Sequence, residues 1–186
     1  MWNARFAQTL LVAGVFLAAP GSEAQTRTLA LDSLDGLRLH KVSAQPAAYK
    51  GRKAIWVTEP AAASAGEDRL VIVTGLEFQD GVIDVDLAGQ PGAGAAAAAR
   101  GFLGVAFRVA ADLSRFECIY LRPTNARAED QVRRNHSVQY VSVPDFPWPR
   151  LRKEEPEKYE SYVDLVPGEW TKVKIEVRGR KARLYV

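Results

Sequence analysis

Residues 171–177, TKVKIEV, alternate without a break between side chains that avoid water and side chains that seek it. Thr171, Val173, Ile175 and Val177 fall on one side of an extended chain, and Lys172, Lys174 and Glu176 on the other, because successive side chains of a strand point to opposite faces. A helix would scatter the same residues around its circumference. Residues 82–87, VIDVDL, repeat the pattern, with Ile83, Val85 and Leu87 on one face and Asp84 and Asp86 on the other. Working outward, residues 54–58 (AIWVT) and 70–74 (LVIVT) are short runs rich in β-branched side chains. Residues 101–109 (GFLGVAFRV) and 116–122 (FECIYLR) flank a polar turn at 111–114 and predict a hairpin. Residues 137–143 and 182–186 are further strand candidates, and Asp80-Gly81, Asp112 and Pro167-Gly168 supply turn signals between the runs. Many short strands with little helical periodicity predict an all-β fold, a two-sheet antiparallel sandwich or jelly roll, rather than a βαβ fold. Residues 89–101, with five consecutive alanines fenced by glycines, are too short to stand as a helix and predict a surface loop.

Length and composition narrow the class. The 186 residues, 47% hydrophobic and 25% charged, suit a single globular domain. A net charge of +3, with basic and acidic residues interspersed, lacks the dense basic stripe of a nucleic-acid binder. Cys118 is the only cysteine, so no intrachain disulfide can form; its apolar neighbours, residues 116–121, predict a buried, inert thiol. Residues 1–24 read as a signal peptide: Arg5 is the positive region, residues 9–19 the apolar region, and Ser22 and Ala24 the small residues before cleavage at Gln25. That apolar run falls short of the roughly 20 residues that span a bilayer. The expectation is a secreted or periplasmic protein with no membrane span after cleavage, residues 25–186 forming the sandwich domain. Tyr185-Val186 lies within a strand pattern, which predicts a fragment whose domain is incomplete at the C-terminus.

The chemistry concentrates in residues 122–148, RPTNARAEDQVRRNHSVQYVSVPDFPW. Asn125, Arg133, Arg134, His136, Gln139 and Tyr140 offer planar polar groups for hydroxyls, and Trp148 offers a ring for the apolar face of a pyranose. The competing reading is a polar loop whose arginines pair with its own acids. Asp84 and Asp86, about 7 Å apart on one strand face, and Asp130 are the carboxylates that could serve a glycosidase; acids on a solvated face give the same pattern. His136 and His40 are the only histidines and are not at ligand spacing, so no metal site is expected.

From residue 101 onward the chain resembles the concanavalin A-like sandwich group. The carrying segments are GFLGVAFRVAADLSRFECIYLRP, EDQVRRNHSVQY, YESYVDLVPGEWTKVKIEV and ARLYV. Within the group it is similar to laminin-G-like jelly rolls and to bacterial secreted 3-keto-disaccharide hydrolase (family 16 glycoside hydrolase-like) domains. The resemblance implies a two-sheet jelly roll whose concave face binds saccharides, continuing past Val186. Such sandwiches often hold a structural calcium, although no defined calcium loop stands in this sequence and no other cofactor is expected. The Glu-x-Asp-x-x-Glu strand of true family 16 glycosidases is missing, since VIDVDL carries no glutamate. No catalytic residue is therefore carried over. The expectation is an exported domain that binds or processes a saccharide or glycan, without nucleic acid as a partner. A glycoside hydrolase and a laminin-G-like protein-interaction or structural module are the alternatives.

Overall fold

Alternation becomes strand at each place where one face can be buried. The computed structural model describes residues 25–60 and 68–186; the signal-peptide reading of residues 1–24 lies outside them. In chain order the strands are β1 (Leu37–His40), β2 (Ser43–Tyr49), β3 (Arg52–Thr58), β4 (Leu70–Val73), β5 (Gly81–Leu87), β6 (Leu103–Phe107) and β7 (Phe116–Leu121). Two short helices follow, α1 (Pro123–Ala126) and α2 (Gln131–Asn135), then β8 (Val138–Val143), α3 (Trp148–Glu154), β9 (Glu160–Ser161), β10 (Thr171–Arg178) and β11 (Lys181–Tyr185). The fold is mostly β, with all described strand pairs antiparallel. No helix among the described residues is long and apolar enough to cross a membrane.

Two sheets share the core. One is four-stranded, β6-β7-β8-β9, and the other three-stranded, β11-β10-β5. Phe107, Ile119, Leu121 and Val138 of the first meet Val173, Ile175 and Val177 of the second, with Ala126 and Leu165 closing the cluster. Ile83, Val85 and Leu87 pack against it, so the decisive alternation in both β5 and β10 points as the sequence predicts. Fully burying each such side chain contributes on the order of 1.5–3 kcal/mol. The β6–β7 hairpin also forms where expected, with Val105 opposite Ile119.

The β2–β3 hairpin docks on the three-stranded sheet through aromatic groups. Tyr49 Oη donates to Gly168 O at 2.8 Å, and Trp170 Nε1 donates to Tyr49 O at 3.3 Å. Gly168 has a φ of +76°, and a Cβ there would run into the Gln90 side chain, so this turn requires glycine. β1 and β2 are not legible as strands in the sequence: β1 carries Arg38 and His40, and β2 contains Pro46. Pro46 is tolerated because β2 has a partner on one side only.

Candidate functional site

The four-stranded sheet has a second, outward face, and the polar residues of interest gather there. Register places Gly104 opposite Tyr120, Tyr120 opposite Gln139 and Gln139 opposite Glu160, one row crossing all four strands. Gly104 lies so close to β7 that an added Cβ would stand 2.6 Å from Tyr120 Cα. Flanking the row are Arg122, from the end of β7, His136, just after α2, and Arg152 of α3.

These residues form one network centred on Glu160. Arg122 Nη1 donates to His136 O at 2.8 Å and lies 3.5 Å from Glu160 Oε1. Its Nη2 donates to Tyr120 Oη at 3.1 Å and to Gln139 Oε1 at 3.3 Å. Arg152 grips the same carboxylate as a fork, Nε to Oε2 at 2.9 Å and Nη2 to Oε1. His136 Nδ1 lies 2.8 Å from Oε1, an ion pair when the imidazole is protonated, and is buried without a hydrogen bond. The side chains of Glu160 and Arg122 are only 4% and 7% exposed. Burial pushes the Glu160 carboxyl toward its neutral form, but the Arg152 hydrogen bonds and the charges of Arg152, His136 and Arg122 outweigh it and hold the group below its usual range. Glu160 is therefore a fixed anion that positions cations, not a stored proton.

An open groove of about 230 Å³ adjoins the network, lined by Asn135, His136, Glu157, Glu160, Ser161 and Tyr162. It is smaller than the roughly 300–1,000 Å³ of drug-sized sites and suits a ring-sized group. Tyr162 is 47% exposed and presents an aromatic surface. With Nδ1 turned toward Glu160, the opposite imidazole edge of His136 is the one left for a ligand.

The residues singled out from sequence are divided by this geometry. His136 reaches the groove. Gln139 and Tyr140, adjacent on β8, point to opposite faces. Gln139 is fully buried on the outward side, its Nε2 donating to Tyr140 O and Tyr159 O. Tyr140 packs against the core between the sheets and donates to Glu117 Oε2 at 2.7 Å. Reading both as one ligand surface is thereby corrected: strand pleat separates them. Asn125 is buried as a clamp, Nδ2 donating to His136 O and Oδ1 accepting from Arg133 Nε. Arg134 holds the turn before α2 by donating to Ala128 O, Glu129 O and Gln131 Oε1. Residues 122–137 are thus less a polar loop than two short helices tied to carbonyls.

Trp148, 44% exposed at the start of α3, does not line the groove; Arg152 stacks over its ring at 4.8 Å and connects it to Glu160. The carboxylate candidates do not converge. Asp84 and Asp86 sit on the solvent face of the three-stranded sheet, Asp84 3.6 Å from Lys172 and Asp86 2.7 Å from Arg52. Asp130 caps α2 by accepting from Arg133 N. Cys118 is on the outward face opposite Ala106 and Val141, and burial pushes its thiol up to about 12, which leaves it a poor nucleophile.

Sequence reading did not find Glu160, Arg122, Tyr120 or Tyr162. Glu160 and Ser161 form a two-residue strand, too short for any alternation to show. The usable signal was the single acid Glu160 between Tyr159 and Tyr162. No family model, no curated protein and no solved structure matches this chain.

Proposed function

We propose that this chain is an exported saccharide-binding sandwich of the concanavalin A-like, laminin-G-like jelly-roll kind, and that it holds a sugar ring in the groove beside Glu160. The observation that carries the reading is an ionised, buried carboxylate fixing His136 and Arg152 next to an exposed tyrosine. Tyr162 offers its ring to the apolar face of a pyranose, while Asn135, His136 and Ser161 offer hydrogen bonds to hydroxyls. Prior fixation matters because each group ordered before binding need not be ordered by the ligand. Binding is favoured over hydrolysis because Glu160 accepts from Arg152 on both oxygens and carries no proton to give a leaving group.

Hydrolysis is the second reading, favoured by Glu157, which lines the same groove as Glu160. Retention on a glycan array tests the first reading. Tyr162→Ala combined with His136→Ala is expected to weaken retention at least about tenfold while the thermal midpoint stays within a few degrees. Unchanged retention would remove the groove as the site. Release of reducing sugar that disappears in Glu157→Gln would favour the second reading.

A further inference from the structure

Basic and acidic residues alternate along most of the chain, but not over residues 178–183, RGRKAR. Arg178, Arg180, Lys181 and Arg183 give this stretch four positive charges, more than the net +3 of the whole chain, and residues 177–186 hold no acid. These residues make the end of the β10–β11 hairpin. Val177 is in the core, so Arg178 projects outward from the three-stranded sheet. Register sets Lys181 opposite Arg178 and Arg183 opposite Glu176, so the three cations share that outward face, and Arg180 stands in the turn. All four cations are exposed, and among the described residues none of them forms an ion pair with a carboxylate. The acids of this face are already occupied. Glu176 is 2.7 Å from Lys174 and accepts from Tyr185 Oη at 3.2 Å, Asp84 faces Lys172 and Asp86 faces Arg52. The turn itself is fixed to the body of the fold. Gly179 N donates to Asp80 Oδ2 at 2.9 Å, and Gly179 O accepts from Arg108 Nη2 at 2.6 Å, while the same guanidinium pairs with Asp80 and Glu117.

Like charges set directly opposite on paired strands destabilise a sheet, so Arg178 facing Lys181 carries a cost that an anion between them would offset. A charged side chain on an edge strand discourages pairing with another chain, but that purpose does not call for a cross-strand pair with two more cations beside it. Cations two residues apart on a strand are about 7 Å apart. The hairpin therefore offers a file of charges to a polymer with repeated anionic groups, not a cavity to a single ion. Apart from its cations the stretch contains only Gly179 and Ala182, so it has no large apolar side chain to enter a bilayer. Because the turn is anchored, its charges are presented without further ordering of the main chain. We propose that the β10–β11 hairpin is a docking surface for an acidic polysaccharide, Arg178, Arg180, Lys181 and Arg183 facing its carboxylate or sulfate groups. The choice of a polysaccharide among polyanions rests on the saccharide reading of the groove; the charge complementarity does not. The hairpin and the Glu160 network lie on the two opposite outward faces of the packed sheets, so the surface is separate from the groove.

Isothermal titration of the full chain with dextran sulfate, polygalacturonate and neutral dextran tests this, with phosphatidylglycerol vesicles and duplex DNA as competing polyanions. At least one acidic polysaccharide is expected to bind at least about tenfold more tightly than dextran, and the preference should shrink as salt is raised. Arg180→Gln with Lys181→Gln, and separately Arg178→Gln with Arg183→Gln, should each remove most of the preference while the thermal midpoint stays within a few degrees. Arg115→Gln with Lys153→Gln removes the same charge from two exposed positions elsewhere and should leave the preference intact. A preference for dextran sulfate identifies sulfate and one for polygalacturonate identifies carboxylate; either supports the surface. Equal binding of acidic and neutral polymers overturns it, as does an equal loss in the Arg115 and Lys153 variant. Tighter binding of the vesicles or the DNA than of both acidic polysaccharides overturns the polysaccharide as partner. The hairpin variants should keep their retention of neutral glycans, so failure of this surface leaves the groove standing. Neutral-glycan retention that ignores Tyr162→Ala with His136→Ala removes the groove and leaves the hairpin result intact.

Discussion

The outward faces of the two sheets both carry acids and bases, yet they differ in what those charges do. On the three-stranded sheet, Asp84, Asp86, Lys172, Lys174 and Glu176 alternate with core residues on a face open to solvent, the first three exposed and the last two half-buried, and their pairs, such as Lys172 with Asp84 at 3.6 Å, are separate and screened. On the four-stranded sheet, α3 packs against β8 and sends Arg152 to Glu160, and the Glu160 and Arg122 side chains there are withdrawn from water. The same residue types thus make a solvated surface in one place and a preorganised electrostatic centre in the other. Burial, not composition, separates them.

Removing the central anion should give the largest effect. Glu160→Gln leaves Arg122 buried without its carboxylate, and is expected to destabilise the fold by about 3–5 kcal/mol, the range for breaking one side of a buried ion pair. Denaturant unfolding measures it; a loss below 1 kcal/mol, on the order of a surface pair, would erase the distinction between the faces.

Acid should act next. Glu160 has a folded-state pKa below its unfolded value, so its contribution is complete above the ordinary carboxylate range and is lost as pH falls through the depressed folded value. The stability gap between the native chain and Glu160→Gln should therefore narrow as pH is lowered from neutrality into the acid range, followed by circular dichroism melts. A constant gap would mean that Glu160 acts by packing alone.

The smallest effect belongs to the solvated face. Asp84→Asn with Asp86→Asn is expected to change stability by no more than about 0.5 kcal/mol and to leave saccharide retention unaltered. A larger loss would show that the exposed pairs with Lys172 and Arg52 are more than surface contacts.

How far the sequence could be read depended on the length of each element. β5 and β10 are long enough for alternation to declare both their identity and their buried side, and the β6–β7 hairpin was marked by its polar turn. The site was legible only in part. Residues 122–148 stood out by composition, and His136 does reach the groove. Asn125, Gln139 and Arg134 have the same polar groups as a ligand surface but are consumed by carbonyls and amides within the chain. A donor looks the same in sequence whether it serves a ligand or a buried backbone oxygen.

Periodicity by itself determined that this chain makes strands, and which side of β5 and β10 avoids water, because side-chain direction in a strand follows from local geometry. The tertiary structure alone decided that Glu160, four tens of residues beyond Tyr120, shares a row with it, and that Gln139 and Tyr140 part company across a sheet. Pairing register and the packing of α3 on β8 join distant segments, and no local pattern encodes the resulting loss of water on which the charge network depends.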